Sequence, residues 1–138
     1  MIVDRPGTLA PAGTRNPPNE VCEALARRLR SHTRGEVLFD AASRGRYATD
    51  ASIYQIVPAG VFVPKTDEDV ATAIGIAREL KVPLLPRGAG TSQCGQTTGA
   101  ALVVDHSKHL RRVMEVDPAA RSAVVEPGIV LDALNAQL

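Results

Sequence analysis

The residues with the clearest chemical potential lie in the stretch PRGAGTSQCGQTTGAALVVD, Pro86 to Asp105. Gly88 and Gly90 allow backbone angles that other residues avoid, so successive amide N–H groups can point into one concavity and bind an anion without a helix. The polar side chains beside them belong to Arg87, Thr91, Ser92, Gln93 and Gln96. This loop offers many donors with little positive charge, which suits a pyrophosphate group.

Two questions about this loop stay open at the level of residue types and spacing. Arg87 can contribute charge to a ligand or can brace the loop from within. The loop as a whole can be an anion cradle or a long surface connection with flexible glycines, and the spacing alone favours neither interpretation.

The known phosphate-binding signatures fit this loop poorly. Counted from Gly90, a Walker A loop would need lysine where Gln96 stands. A dinucleotide fingerprint that starts at Gly88 would need glycine at position 93, which is Gln93. Both motifs also direct a helix N-terminus at the phosphate, whereas this loop continues through TTGAALVVD into a predicted strand.

Composition narrows the class of protein. The chain has 138 residues, 44% of them hydrophobic and 3% aromatic, which is enough for one core built from aliphatic side chains. Sixteen basic residues balance fifteen acidic ones, so charge gives no case for nucleic acid as a partner. The sequence predicts no membrane span and no secretory signal. We expect Cys22 and Cys94 to be free thiols in a reducing compartment.

The elements around the loop follow from apolar periodicity and cap residues. We predict an extended arm over 1–18, a helix over 20–32 capped by Asn19, a helix over 41–47 capped by Asp40, a strand over 60–64, a helix entered at Thr66, a short buried strand over 82–86, a strand over 101–107, a hairpin turning at Asp117-Pro118 and a last helix in which the chain ends. Alternation of strands and helices predicts an α/β fold with a small, mainly parallel sheet.

Other candidate groups carry less chemistry. His106 and His109 have a spacing that binds metal on a helix, but they fall at a predicted strand end, so we expect surface positions and no metal site. We expect Asp105 to cap a turn. No nucleophile has a nearby base that would argue for hydrolysis, and we assign no catalytic residue from these motifs.

Residues 56–138, taken with their order, resemble a known family. A strand ending in proline, the helix entry TDEDV, VPLLPRGAGTS, the strand VVDHS, the turn VDP and the segment VEPG follow one another as in the FAD-binding domain shared by vanillyl-alcohol oxidase, para-cresol methylhydroxylase, the glycolate oxidase flavin subunit and D-lactate dehydrogenases. The upstream segment RGRYATDASIYQIVPAGVFVP is similar to the branch that includes D-2-hydroxyglutarate and D-lactate dehydrogenases.

The resemblance implies that the glycine loop wraps the FAD pyrophosphate, largely through its backbone. The implied contacts are Arg87, Gly88, Ala89, Gly90, Thr91 and Ser92 at the pyrophosphate, Gln93, Gly95 and Gln96 towards the flavin end, Pro64 near the adenine, and Pro127 and Gly128 beside the cofactor. The loop has no histidine for covalent attachment, so we expect non-covalent FAD, with Cys94 as a small buried thiol.

The resemblance also implies a larger protein. We expect three parts: an arm over 1–18, a helical segment over 19–55, and over 56–138 the first half of an FAD-binding domain that is truncated at its C-terminus. The full protein would oxidise a 2-hydroxy acid of the D-lactate, D-2-hydroxyglutarate or glycolate type to the 2-oxo acid. This part alone would be inactive, and an iron–sulfur cluster would belong only to downstream regions.

The family resemblance also implies the partners of the full protein. They are a 2-hydroxy acid substrate and an electron acceptor such as a quinone, a cytochrome, an electron-transfer flavoprotein or oxygen. We expect a cytoplasmic protein, with membrane association only through its other regions, and the sequence carries no signal for an oligomeric state.

Two other functions are alternatives to a part of a flavoenzyme. One is a non-enzymatic α/β module that binds a nucleotide or anion through the loop, and the other is an interaction domain in which the loop is only a linker.

Overall fold

The computed structural model describes residues 15–138. Its elements in chain order are α1 (Asn19–His32), β1 (Glu36–Leu38), α2 (Ala41–Arg46), β2 (Gly60–Val63), α3 (Asp67–Glu79), β3 (Leu84–Arg87), β4 (Leu102–Asp105), β5 (Val113–Asp117), β6 (Ser122–Val125) and α4 (Leu131–Asn135). Most of the arm predicted over 1–18 lies outside the described residues.

Four strands form the main sheet in the order β1-β2-β4-β3. β2 and β3 each pair in parallel with β4, which places Val61, Val103 and Leu85 in one row. β1 pairs with β2 in the antiparallel direction. The predicted α/β fold with a mainly parallel sheet is therefore confirmed. The sequence did not predict β1, because three residues are too few to show a period.

The core lies mainly on one face of this sheet. Leu25 and Leu29 of α1 and Ala73 and Ile76 of α3 pack there against Phe62, together with further buried aliphatic side chains. The opposite face carries a smaller cluster of valines from β2 and β4, with Tyr47 and Leu85 packed against it. Both central strands are buried along their whole length, as expected for parallel strands covered on both faces.

The helix starts show which local signals were sufficient. The Thr66 hydroxyl accepts a 3.2 Å hydrogen bond from the amide of Asp69, and the Asp40 carboxylate accepts a 2.8 Å bond from the amide of Ser43, so both predicted caps are confirmed. The predicted Asn19 cap is wrong. Pro18 occupies the cap position, and its carbonyl accepts from the amides of Val21 and Cys22 at 3.0 and 3.1 Å. The reason is the backbone: Pro18 has the extended ψ of 149° typical of a cap residue, whereas Asn19 is already helical.

The strand before the glycine loop differs from its prediction. β3 covers Leu84–Arg87 rather than 82–86, and it is not buried: Pro86 is exposed and its other three residues are half-buried. The reason is its place in the sheet: β3 is an edge strand whose one neighbour is β4. The helix α2 ends at Arg46, one residue earlier than predicted.

The C-terminal part forms a separate two-stranded antiparallel sheet. β5 and β6 pair from Val113 with Val125 to Asp117 with Ser122, so the predicted hairpin and its turn at Asp117-Pro118 are confirmed. The short helix α4 follows. Within the described residues, no helix has both the length and the apolar character that a bilayer crossing requires. The predicted boundary between 19–55 and 56–138 stays a prediction.

Candidate functional site

The carboxyl ends of the three parallel strands meet at one edge of the main sheet, and a cleft of about 460 Å³ opens there. It is lined by Glu36, Leu38, Arg46, Tyr47, Val63, Arg87, Gly88, Ala89, Asp105, Ser107 and Lys108. Ligands of open α/β sheets bind at this edge. The glycine loop begins where β3 ends, so the sheet itself delivers the start of the loop to the cleft.

Two glycines of this loop have left-handed backbone angles. Gly90 has φ of 71° and Gly95 has φ of 77°, a region that residues with a side chain rarely adopt. Of the two glycines singled out in the sequence, Gly90 uses this freedom and Gly88 does not, whereas Gly95 adopts a left-handed angle as well. A turn rather than a helix follows Gly95, with Thr98 N donating to its carbonyl at 3.3 Å.

The backbone amides of the loop are available to a ligand. Within the described chain, no amide from Gly88 to Gly95 donates to a protein acceptor. The next two amides are engaged: Gln96 N donates to Ser92 Oγ at 3.3 Å, and Thr97 N donates to Asp50 Oδ2 at 3.4 Å. Gly88 and Ala89, at the start of this run of free donors, line the cleft, so the first amides are open to an anionic ligand.

The polar side chains of the loop are partly used within it. Ser92 Oγ donates to the side-chain oxygen of Gln96, whereas Thr91 and Gln93 are exposed at the loop surface. The two glutamines therefore play different parts, because Gln96 closes a turn of the loop on Ser92 and Gln93 faces solvent.

Arg87 braces the loop through its guanidinium group. Nη1 donates to the carbonyl oxygens of Thr49 at 2.9 Å and Thr97 at 3.3 Å. The guanidinium carbon lies 5.3 Å from the centre of the Tyr47 ring, a cation–π arrangement. A methyl group on Gly90 would overlap the same guanidinium. Of the two roles left open by the sequence, bracing is therefore present in the fold.

Tyr47 and Asp105 join the N-terminal segment to the end of β4. The Tyr47 hydroxyl donates to Asp105 Oδ2 at 2.6 Å, and the amide of Ser107 donates to Asp105 Oδ1 at 2.8 Å. The second bond confirms the predicted turn cap. Burial, followed by the bond to the Asp105 carboxylate, raises the pKa of Tyr47 to about 12. The phenol therefore stays protonated and continues to donate at physiological pH.

Asp50 makes a second connection, to the far end of the glycine loop. Its Oδ2 atom accepts from Thr97 Oγ1 at 3.1 Å and from Thr97 N at 3.4 Å, and its Oδ1 atom accepts from Ser52 N at 2.9 Å. Hydrogen bonds from Ser52 and then from Thr97 lower the pKa of Asp50 to about 2.

Sequence reasoning missed both connections. Tyr47 and Asp50 lie in an irregular segment, and their partners lie 58 and 47 positions away. The only signal in the sequence was the similarity of the segment from Arg44 onwards to one branch of the family, which gives no residue roles.

The predicted contacts outside the loop are placed as follows. The carbonyl oxygen of Pro127 would lie 3.6 Å from a methyl group on Gly88, so the hairpin exit and the loop start are neighbours. Gly128 is buried, and its amide donates to the carbonyl of Leu110 at 2.8 Å. Pro64 is fully buried at the end of β2. Contact of any of these residues with a cofactor stays a prediction.

Two expectations about side-chain burial are wrong. Cys94 is exposed rather than buried, because it lies in a loop that projects beyond the sheet and its core. His106 is buried rather than at the surface, because its amide continues the ladder by donating to Arg87 O at 2.9 Å. His109 is half-buried, with Nε2 3.1 Å from Glu36 Oε1.

The last groups to place are the two cysteines and the side chains that could bind a metal ion. Both cysteines are free thiols, as predicted, and burial raises the pKa of the Cys22 thiol. In the described part of the chain, no group of three or more histidine, cysteine or carboxylate side chains is arranged to hold a metal ion.

Comparison with known proteins matches this chain to a family and to curated relatives. Residues 58–138 match the family model described as an FAD binding domain. The chain is 40% identical over 122 residues to D-2-hydroxyglutarate dehydrogenase of Pseudomonas putida, covering 86% of this chain and 12% of that protein. It is 36% identical over 104 residues to the glycolate oxidase subunit GlcD of Bacillus subtilis, covering 71% of this chain and 22% of that protein.

Solved structures share the fold at lower identity. p-Cresol methylhydroxylase with substrate bound superposes with a TM-score of 0.67 at 19% identity, over 86% of this chain and 24% of that one. Alkyldihydroxyacetonephosphate synthase superposes with a TM-score of 0.70 at 19% identity, over 89% of this chain and 25% of that one. The chain thus spans about a quarter or less of each protein with which it is compared.

Proposed function

The chain belongs to the FAD binding domain family, and from that premise we propose that its glycine loop binds the pyrophosphate of FAD in an oxidoreductase that acts on a 2-hydroxy acid. The observation that carries the proposal is the run of amides from Gly88 to Gly95, which have no acceptor within residues 15–138 and begin at the carboxyl edge of a parallel sheet. A pyrophosphate needs many donors close together, and backbone amides supply them without a side chain in the way.

The residues present fit the cofactor. Gly90 and Gly95 supply the left-handed angles that let the chain curl around an anion. The loop carries no negatively charged residue between Arg87 and Ala101 to repel a phosphate. Cleft residues Gly88 and Ala89 stand at the start of the loop, where the first amides would meet the ligand.

The remaining roles follow the order of the chain. Arg87 to Ser92 would hold the pyrophosphate, with Gln93, Gly95 and Gln96 towards the flavin, Pro64 on the adenine side, and Pro127 and Gly128 beside the cofactor. Bound FAD would supply a hydride acceptor for the oxidation of the hydroxyl-bearing carbon. The chain's own task is to bind and orient it, and we assign no catalytic residue to residues 15–138.

The substrate class rests on the curated relatives. The names of two of them, D-2-hydroxyglutarate dehydrogenase and glycolate oxidase subunit GlcD, both point to 2-hydroxy acids. We therefore propose that the full protein converts a 2-hydroxy acid to the 2-oxo acid and passes the electrons to a separate acceptor. The chain itself would show no turnover.

Titration of the purified chain with FAD tests the proposal. We expect binding that is micromolar or weaker, because other parts of the protein complete the pocket, and competition by ADP, which carries the same diphosphate. Denaturation should release all flavin, since attachment is non-covalent. Binding of FAD no tighter than that of inorganic pyrophosphate would instead favour an anion-binding module, and no binding of either would overturn the site.

A further inference from the structure

We propose that the segment 47–50 is a clasp that positions the glycine loop for its ligand, with Asp50 as the principal positioning residue. The inference deepens the proposed function and rests on it. The clasp comprises Tyr47, Thr49 and Asp50, and it contacts the loop at its two ends, Arg87 and Thr97.

The two ends of the loop are tied to each other and to the clasp. Arg87 Nη1 lies 3.3 Å from the carbonyl oxygen of Thr97, which closes the loop directly. The same nitrogen reaches the carbonyl oxygen of Thr49 at 2.9 Å. Asp50 then accepts from both the amide and the hydroxyl of Thr97. The residues 88–96 are thus held between two fixed points.

The clasp is itself anchored to the sheet. Tyr47 donates to Asp105 at the end of β4, and Asp105 is 6% exposed. Ala48, between Tyr47 and Thr49, is 1% exposed, and its carbonyl accepts from Ile56 N at 2.9 Å. Because Tyr47 and Ala48 are fixed in this way, the residues that follow them can hold the loop in a defined position relative to β4.

The loop needs this external support. Its amides from Gly88 to Gly95 make no bonds to the protein, so within residues 15–138 no backbone ladder fixes their directions. Glycine-containing segments lose much conformational freedom when they bind. Contacts that order the loop before the ligand arrives lower that cost and raise affinity.

Three substitutions separate positioning from general stability. Asp50→Ala removes the acceptor of both Thr97 bonds, Thr97→Val removes one of them at nearly constant shape, and Thr97→Ser keeps the hydroxyl. Asp117→Ala is the matched control for the first, because Asp117 accepts from Ala120 N in the distant hairpin turn. Thr33→Val is the control for the second, because the Thr33 hydroxyl donates to Leu29 O at the end of α1.

The experiment measures two quantities for each variant of the full chain: the Kd for FAD and for ADP, and the backbone order parameters of residues 88–96 without ligand. We expect Asp50→Ala to raise both Kd values about tenfold, which corresponds to about 1.4 kcal/mol, and to lower the order parameters. Thr97→Val should do the same to a smaller degree, Thr97→Ser should restore wild-type values, and the double variant should be no worse than Asp50→Ala.

The outcomes are distinguishable. Unchanged order parameters in both Asp50→Ala and Thr97→Val would overturn the clasp, as would lowered order with unchanged Kd values. If Asp50→Ala does not fold, Thr97→Val and its serine counterpart decide the question. A wild-type chain with an ordered loop that binds neither FAD nor ADP would overturn the proposed function and with it the positioning of a ligand, while the order parameters still report whether Asp50 holds the loop.

Discussion

The hydroxyl of Tyr47 donates a 2.6 Å hydrogen bond to the carboxylate of Asp105, 58 positions further along the chain. This bond connects an irregular segment to the end of the central strand β4. The ring of the same tyrosine lies against Arg87, which begins the glycine loop. One side chain therefore links the end of a central strand to the start of the glycine loop.

The alkaline behaviour of Tyr47 follows from its raised pKa of about 12. The ordinary pKa of tyrosine is about 10, so the protonated phenol contributes its full stability below about pH 10 and loses it as pH rises towards about pH 12. We expect wild type to lose stability more steeply than Tyr47→Phe over this range. Denaturant unfolding at several pH values measures the difference, and Tyr54→Phe is the control because the structure shows no hydrogen bond from that hydroxyl in the described residues.

Gly90 and Gly75 should respond to alanine in opposite directions. Gly90→Ala places a side chain at φ of 71° against the Arg87 guanidinium, so we expect a loss of about 1–2 kcal/mol in the free energy of unfolding and weaker FAD binding. Gly75 lies within α3 with nothing near a built methyl group, so Gly75→Ala should gain up to about 1 kcal/mol. Equal effects of the two changes would contradict the strained position of Gly90.

Substitution of Gly88 should change the affinity for FAD rather than the stability of the fold. A methyl group there would meet Pro127 O at an ordinary 3.6 Å, and its φ is not left-handed. Gly88→Ala should therefore change the free energy of unfolding by less than about 0.5 kcal/mol and still weaken FAD binding, because Gly88 lines the cleft. Gly99→Ala, with its methyl 3.5 Å from Leu85, is the control away from the cleft. Undiminished FAD affinity in Gly88→Ala would place the pyrophosphate elsewhere.

Glu126 should make the stability sensitive to acid. It is buried and accepts three bonds from Arg112, at 2.6, 2.9 and 2.7 Å, and the bonds to the Arg112 side chain are the main cause that lowers the pKa of Glu126. Its contribution is therefore present above its ordinary pKa near 4.5 and is lost as pH falls below that value. Thermal melts should show Glu126→Gln less stable than wild type at neutral pH, with the gap closing in acid. A gap that widens in acid would contradict the assigned pair.

Two of the three predicted helix caps, Thr66 and Asn19, can be compared by a single type of substitution. Thr66→Ala removes the acceptor for Asp69 N at the start of α3 and should cost about 1 kcal/mol. Asn19→Ala should cost less than about 0.5 kcal/mol, since Asn19 makes no cap bond. Chemical denaturation measures the loss in the free energy of unfolding for each variant. A larger loss for Asn19→Ala than for Thr66→Ala would show that Asn19 acts as a cap after all.

Local signals were sufficient for the family and for most of the elements, although not for the three-residue strand β1. Thr66 predicts the start of α3 because a cap bond joins residues only three positions apart. Pro118 predicts the hairpin turn because its ring fixes the φ angle that the turn requires. The valines of β2 and β4 indicate buried parallel strands because both faces are covered. The order of these pieces also gave the resemblance to an FAD binding domain, which the match over 58–138 confirms.

Tertiary structure decided how the loop is held and which side chains are buried. Whether Arg87 braces the loop depends on Thr49 and Thr97, which lie 38 and 10 positions away. His106 is buried and Cys94 is exposed because of where the sheet ends, and strand order, not local pattern, sets that edge. Contacts between residues this far apart depend on how the elements pack, and no period or cap motif in a single stretch of sequence encodes them.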